Sequence, residues 1–246
     1  MKATRRSTTT ERILITGVAG FVGKHLARLL GSTTDAQLFG VDRHGAPEMD
    51  CGLSLGLGER LRCMAGDMSD SARIREIVAE SRPTWIVHLA AQAFVPTAFA
   101  DPMGTLVNNI AGQVNLSEAV LAMDLRPRML VICSNEEYGM VAPEELPVKE
   151  TAPFRPANPY AVSKVAQDML GYQYFVSHGL PIVRVRPFNH LGPGQSDRFV
   201  SSAFARQIAE AEAGLREPVL SVGNLTAERD FSDVRDIVRA YKLALE

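Results

Sequence analysis

Long hydrophobic runs, an excess of one charge and paired cysteines are all missing from this sequence of 246 residues. No stretch approaches the ~18 consecutive apolar residues of a membrane helix, and the amino-terminal MKATRRSTTTER lacks the apolar segment of a secretory signal. The formal net charge is −2, and the 26 basic residues are scattered without forming a stripe. We therefore expect no membrane segment and no nucleic-acid partner, and we predict that residues 1–11 form a disordered tail.

The cysteines are few and are not spaced for a metal site. Cys51, Cys63 and Cys133 are odd in number, and no CxxC pair or histidine run accompanies them, which indicates neither a disulfide framework nor zinc. The histidines also lack cysteine or carboxylate partners at metal-binding spacing, so no metal is predicted. This usage fits the reducing cytoplasm and leaves small-molecule chemistry as the favoured class of function.

Short apolar runs alternate with helical patterns from Arg12 onward. The runs RILIT, AQLFGVD, TWIVHLA and RMLVICS are near-continuous, as in strands covered by helices on both faces, and residues 102–124 and 157–177 are predicted helices. This rhythm predicts an α/β fold with a doubly wound parallel sheet (Rossmann) over residues 12–187. Residues 188–246 combine a Gly/Pro loop, a short strand at 218–224 and helices at 199–213 and 233–245, which predicts a small C-terminal cap forming part of a substrate-binding region.

A glycine run follows the first predicted strand. In ILITGVAGFVGKHL, Gly17, Gly20 and Gly23 stand at the mouth of a helix, with Phe21 and Val22 between them. Glycine lets the backbone turn tightly and approach a pyrophosphate, whose charge is met by free N–H groups and the helix dipole. The pattern predicts a dinucleotide site.

Two further strand ends carry acidic residues suited to the adenosine half of a dinucleotide. Asp42 ends the second strand roughly 20 residues beyond the glycines, where a carboxylate bonds ribose hydroxyls. The adjacent Arg43 is suited to a 2′-phosphate, so NAD and NADP both stay open. Asp67, followed by Met68, is expected at the end of the third strand near the adenine, or else at the start of the helix 70–80.

The segment NPYAVSK places Tyr160 and Lys164 one helical turn apart. An ammonium beside a phenol favours the phenolate, so Lys164 is expected to lower the pKa of Tyr160 and make it a usable acid or base. Ser134 ends the predicted strand in VICSNEEYG, at the sheet edge where ligands of open α/β sheets bind. We therefore predict that Ser134, Tyr160 and Lys164 form a catalytic triad.

The ordered motifs TGVAGFVGKHL, VHLAAQA, VNNIAGQVNLSEA, CSNEEYG, NPYAVSK, RPFNHLGPGQ and VGNLTAERDFSDVRDIVRAY resemble those of the extended short-chain dehydrogenase/reductase (NAD-dependent epimerase/dehydratase) family. Within it, the chain looks most like the GDP-4-keto-6-deoxy-D-mannose reductases. The resemblance implies an NAD(P) cofactor held by the glycine run and by Leu89, Ala90 and Ala91 along the nicotinamide ribose. It also implies an Asn109 that supports the cofactor and active-site region, and a nucleotide sugar bound by Asn189 and Arg229.

The implied reaction is reduction of the C4 ketone of a nucleotide-linked 4-keto-6-deoxy sugar. Glu136 matches the base of related dehydratases, which keeps dehydration or epimerisation as an alternative, whereas Asn135 stands where some of those enzymes have an aspartic acid. A third alternative is a non-catalytic dinucleotide-binding protein. Relatives pair the helices equivalent to 102–124 and 157–177 between subunits, so a homodimer is expected, and relatives usually continue beyond the position of Glu246.

Overall fold

The structure is a computed structural model that describes residues 10–43, 52 and 55–246. Most of the predicted disordered tail, residues 1–9, lies outside the described residues, as does Cys51. Cys63 is disulfide-bonded, which corrects the expectation drawn from the odd number of cysteines. Cysteine usage therefore gives no argument for a reducing compartment. Among the described residues, no helix is both long and apolar enough to cross a membrane.

Six parallel strands form the central sheet. They are β1 (Arg12–Thr16), β2 (Gln37–Asp42), β3 (Leu61–Ala65), β4 (Trp85–His88), β5 (Arg128–Ile132) and β6 (Ile182–Val185). Their spatial order is β3-β2-β1-β4-β5-β6, and every pairing is parallel. This is the doubly wound order that the apolar runs predict. The chain builds the sheet outward from β1 to β3 and then crosses back to add β4, β5 and β6 on the other side of β1.

Helices cover both faces of this sheet. On one face lie α1 (Phe21–Thr33) and α7 (Val234–Leu245), and on the other lie α2 (Ser71–Ser81), α4 (Pro102–Ala122) and α5 (Pro159–His178). The short helix α3 (Val95–Ala100) contacts α4 and α5. Successive side chains of β1 alternate between the two layers: Ile13 and Ile15 pack under α1 and α7, and Leu14 packs under the other helices. Each is fully buried, which stabilises the fold by about 1.5–3 kcal/mol per side chain.

The C-terminal segment departs from the prediction in two places. Residues 218–224 are exposed and form no strand, because the Val219–Val222 stretch finds no neighbouring strand to pair with. Instead β7 (Asn189–Leu191) pairs in parallel with β8 (Phe231–Asp233), and the cap helix α6 (Val200–Glu212) lies between these two strands in sequence. Helix α7 belongs to the sheet layer, because it packs on α1 and β5.

Candidate active site

A cleft of about 550 Å³ opens at the carboxyl ends of the strands, and a smaller side pocket of about 200 Å³ adjoins it. The main cleft is lined by the glycine turn after β1, the loops after β4, β5 and β6, the start of α5, and residues of the C-terminal segment. Gly17, Gly20, Leu89 and Ala91 line both spaces. The two spaces together give an elongated ligand the room to lie across the sheet edge, which is where the doubly wound fold binds its ligands.

The glycine turn is shaped by backbone contacts. Gly17 has a φ of +72°, and a Cβ on Gly23 would lie 2.3 Å from the carbonyl oxygen of Gly17. Gly20 is the N-cap of α1 and offers no side-chain hydrogen bond to the first turn, whereas Asp70, Asp101 and Asn158 cap their helices with side-chain oxygens. The first amides of α1 are thus left for a ligand, and a pyrophosphate fits them in charge and in the close approach that glycine allows.

The side pocket receives most of the residues predicted for the adenosine half. Its lining includes Asp42, Arg43 and Met68, besides the glycines, and also Ala90, which was expected along the nicotinamide ribose. Asp67 lies at the end of β3 as predicted but does not line the pocket. Its Oδ1 accepts hydrogen bonds from the backbone N–H (2.8 Å) and hydroxyl (2.7 Å) of Ser69, which lower the pKa of Asp67. That carboxylate therefore shapes the turn before α2.

Asn109 stands behind the cleft and not on its wall. It is fully buried and lines neither space; its Oδ1 accepts from Gln92 N (2.8 Å), and its Nδ2 donates to Gln92 O (3.1 Å) and Ser163 Oγ (2.8 Å). These bonds tie the loop after β4 to helix α5. Asn109 can affect a cofactor only through that loop, and the neighbouring Asn108 is the asparagine that lines the side pocket.

Ser134, Tyr160 and Lys164 meet in the main cleft, at the end of β5 and the start of α5. The Ser134 side chain lies close enough to the Tyr160 hydroxyl to lower the pKa of that phenol. Lys164 lies with its Nζ 5.8 Å from the centre of the Tyr160 ring and donates to the carbonyl oxygen of Ile132 at 2.7 Å. Two hydroxyls and one ammonium group are therefore brought to a single wall of the cleft.

Burial dominates the ionisation of this group. It raises the pKa of Tyr160, although the nearby Ser134 side chain opposes the rise, and it lowers the pKa of Lys164 to about 8. The expectation that Lys164 brings the pKa of Tyr160 down is therefore wrong for this structure, because desolvation of the phenolate outweighs the neighbouring charge. Tyr160 holds its proton at neutral pH and can act as a proton donor.

The residues predicted for the substrate lie on the other walls of the main cleft. Glu136 Oε2 accepts a hydrogen bond from Asn158 Nδ2 (3.0 Å), which orients the carboxylate beside Ser134. Asn189 begins β7, and Arg229 precedes β8, so the pairing of these two strands brings both residues to the cleft. Among the described residues, the side chain of Arg229 donates to the carbonyl oxygen of Glu228 (2.7 Å).

Comparison with known proteins identifies the family. A family described as GDP-mannose 4,6 dehydratase matches residues 14–246. The GDP-6-deoxy-D-mannose reductase of Pseudomonas aeruginosa is 39% identical over 234 residues, which are 94% of this chain and 69% of that protein. The chain belongs to the GDP-mannose 4,6-dehydratase family. This confirms the resemblance to the extended short-chain dehydrogenase/reductases.

Two further comparisons are with a named dehydratase and with a structure that contains a cofactor. The GDP-mannose 4,6-dehydratase of Vibrio cholerae serotype O1 is 31% identical over 248 residues, covering 95% of this chain. This chain spans 64% of the length of that dehydratase. The solved structure of RMD from Pseudomonas aeruginosa complexed with NADPH superimposes with a TM-score of 0.80 at 37% identity, covering 94% of this chain and 72% of that one. The fold prediction is thus confirmed.

A buried carboxylate that the sequence did not predict, that of Glu137, holds the backbone of Ser134 in place. Glu137 Oε1 accepts from the backbone N–H of Ser134 at 2.9 Å, and its Oε2 lies 3.3 Å from Arg186 Nε. Burial raises the pKa of Glu137 to about 7. Glu137, Cys133 and Asp168 form the one group of potential metal ligands found among the described residues. Arg186 already pairs with both carboxylates, which leaves this group without need of a cation.

Other residues of the main cleft also escaped prediction. They are apolar, aromatic or amide side chains, some of them within the quoted motifs, to which the sequence assigned no role: Phe94, Val95, Pro96, Pro187, Phe188, Gln195, Phe199, Val200, Phe231 and Tyr241. Phe94 and Phe199 pack edge to face, with ring centres 5.8 Å apart, although they are far apart in sequence. The sequence offered one signal for this wall of the cleft, His190 in RPFNH. Its ring stacks on Phe21 of the glycine turn, with ring centres 6.2 Å apart.

Proposed function

We propose that this chain reduces the C4 ketone of a nucleotide-linked 4-keto-6-deoxy sugar, and that GDP-4-keto-6-deoxy-D-mannose is its substrate. The relative with 39% identity is named a GDP-6-deoxy-D-mannose reductase, and identity to the named dehydratases of Vibrio cholerae is lower. The cofactor is NADP or NAD. Arg43 in the side pocket and the NADPH in the Pseudomonas structure favour NADPH.

The proposal rests on one observation: Ser134 and the protonated Tyr160 lie together in a cleft that begins at the glycine turn. A bound NAD(P)H supplies the hydride. Tyr160 donates its proton to the oxygen that develops negative charge at C4, and Ser134 hydrogen-bonds the same oxygen. Lys164 keeps two donor positions beyond its bond to Ile132 O, and these hold ribose hydroxyls of the cofactor.

Arg229 and Asn189 are suited to the nucleotide end of the substrate. A guanidinium presents several N–H groups in one plane, which matches the oxygens of a diphosphate, and an amide side chain bonds either a sugar hydroxyl or a phosphate oxygen. Asn189, on β7, and Arg229, just before β8, line the same cleft as Tyr160. A diphosphate held there directs the sugar toward the Ser134 and Tyr160 hydroxyls.

A second candidate function rests on Glu136. Its carboxylate lines the same cleft and is oriented by Asn158, as a base for proton abstraction next to a ketone requires. A dehydratase or epimerase would use it while returning the hydride to the sugar, without net consumption of NAD(P)H. Asn135, with an amide where a proton-donating acid would be needed, favours the reductase.

We also propose that two copies associate through the exposed apolar stripe of α4 and α5. Large apolar side chains along this surface are more than two-fifths exposed: Met103, Val107, Val162, Met169, Tyr172, Phe175 and Val176. Such a continuous apolar surface is typical of a protein interface. The cytoplasmic location stays a prediction from the sequence.

The substitution Tyr160→Phe tests the catalytic assignment. It removes the donated proton and keeps the ring, so we expect NADPH-dependent turnover to fall by at least ~10²-fold while the dissociation constant for NADPH changes by no more than a few-fold. The control is Thr151→Val, which removes an exposed hydroxyl outside the cleft and the apolar stripe and should behave as the parent. Turnover of Tyr160→Phe within a few-fold of the parent would reject Tyr160 as the acid.

A further inference from the structure

One buried hydroxyl in the main cleft has no partner. Five buried side-chain atoms in the described part of the chain lack a hydrogen bond: Gln113 Oε1, Ser117 Oγ, Glu137 Oε2, Gln167 Oε1 and the Tyr241 hydroxyl. Of the five residues, Tyr241 is the one that lines the main cleft. Its side chain is 97% buried within helix α7, so it is shielded from bulk water. A buried hydroxyl without a hydrogen bond destabilises the folded protein unless a ligand supplies the missing partner.

The packing of Tyr241 fixes which end of the cleft it faces. Its ring belongs to the apolar core under α1 and α7, and Phe21, Val22 and Leu89 pack against that same core while also lining the cleft. Those three residues come from the glycine turn and the end of β4. Tyr241 thus forms the floor on the cofactor side, whereas Glu136, Asn189 and Arg229 form the walls on the substrate side.

Tyr241 also stands at the Tyr160 end of the cofactor site. It lines the same cleft as Tyr160 and Cys133, and burial is the main cause that raises its pKa, so the hydroxyl keeps its proton at neutral pH. The side pocket with Asp42 and Arg43 does not include Tyr241. If the adenosine half lies in the side pocket, the part of the cofactor that reaches Tyr241 is the nicotinamide end.

We propose that Tyr241 is a cofactor-binding residue whose hydroxyl hydrogen-bonds the carboxamide of the nicotinamide ring and so positions that ring beside Tyr160. A phenol donates to the carboxamide oxygen or accepts from its NH₂ group, and either bond completes the unpaired hydroxyl. This inference rests on the proposed function, because it requires that the cleft binds NAD(P)H with the nicotinamide beside Tyr160. It assigns helix α7, which supports the sheet, a direct part in the site.

The test compares two ligands on Tyr241→Phe and on the parent by isothermal titration calorimetry. NADPH carries the nicotinamide, and 2′-phospho-ADP-ribose is the same molecule without it. We expect Tyr241→Phe to weaken NADPH binding by about 3- to 10-fold, the effect of one neutral hydrogen bond, and to leave 2′-phospho-ADP-ribose binding unchanged. Thr151→Val, which removes an exposed hydroxyl outside the cleft and the apolar stripe, should change neither value.

Thermal unfolding without ligand gives a second readout. Because the hydroxyl is unpaired in the free protein, Tyr241→Phe should unfold at the parent temperature or above it, and NADPH should raise that temperature less than in the parent. Equal weakening of both ligands, an unchanged affinity for NADPH, or a loss of ligand-free stability would each overturn the assignment. A parent protein that binds neither ligand would instead overturn the proposed function itself.

Discussion

At the residue scale, burial sets the chemistry of the site more than the charge pairing that sequence spacing suggests. The four-residue spacing of Tyr160 and Lys164 correctly placed both on one turn of α5. It could not show that the ammonium bonds the Ile132 carbonyl, or that both groups are removed from water, because these depend on β5 and on the packing of the loops. Glu137 and Tyr241 escaped prediction for the same reason, since their roles arise from distant contacts.

The buried ammonium group of Lys164 should lower the free energy of unfolding at neutral pH. Burial lowers its pKa to about 8, so between about pH 8 and 10.5 the unfolded chain binds a proton that the folded chain has released. Parent stability therefore rises with pH across this window. Below the window, the buried charge destabilises the folded protein by its full amount. In Lys164→Met, the free energy of unfolding should exceed that of the parent at pH 7, and the excess should shrink by on the order of 3 kcal/mol toward pH 10.5.

Urea unfolding of both proteins at several pH values measures this difference. The exposed Lys24 supplies the control, since Lys24→Met removes an equal charge without a buried site and should show no comparable trend. A difference between Lys164→Met and the parent that stays constant from pH 7 to 10.5 would contradict the account of Lys164 as a desolvated ammonium.

At the element scale, the core strands and helices followed from apolar patterning, whereas β7 and β8 did not. Continuous burial gives the six sheet strands a signal within their own sequence. The three-residue strands β7 and β8 are defined by pairing with each other, about 40 residues apart, and are too short to carry a pattern. The apolar stretch at 218–224 shows the converse, because strand-like composition without a neighbouring strand yields no strand.

The bonds of Asn109 join the loop after β4 to α5, and their loss should loosen both elements. Asn109→Ala leaves Gln92 N, Gln92 O and Ser163 Oγ without this partner, so we expect the free energy of unfolding to fall by about 2–4 kcal/mol and NADPH to bind more weakly. Asn224→Ala, in an exposed turn, is the control and should cost less than about 1 kcal/mol. Equal costs for the two substitutions would refute the role of Asn109 as the link.

At the scale of the whole molecule, the apolar stripe on α4 and α5 predicts a dimer. Light scattering should give twice the chain mass of 26.8 kDa. Val176→Glu, which adds a charge to the centre of the stripe, should shift the protein to the monomer mass. Leu243→Glu is equally drastic but lies on α7 at the opposite face, and it should leave the mass unchanged. A parent protein of monomer mass would contradict the proposed interface.

The central claim is hydride transfer to C4 of the sugar, and isotope transfer tests it most directly. The parent protein is incubated with GDP-4-keto-6-deoxy-D-mannose and with NADPH that carries deuterium at both C4 positions, so the result does not depend on which face reacts. We predict one deuterium at C4 of the released sugar for each NADPH oxidised, measured by mass spectrometry and NMR. A sugar without deuterium, or NADPH that stays bound and unoxidised, would contradict the reductase and would direct attention to Glu136 chemistry or to a binding role.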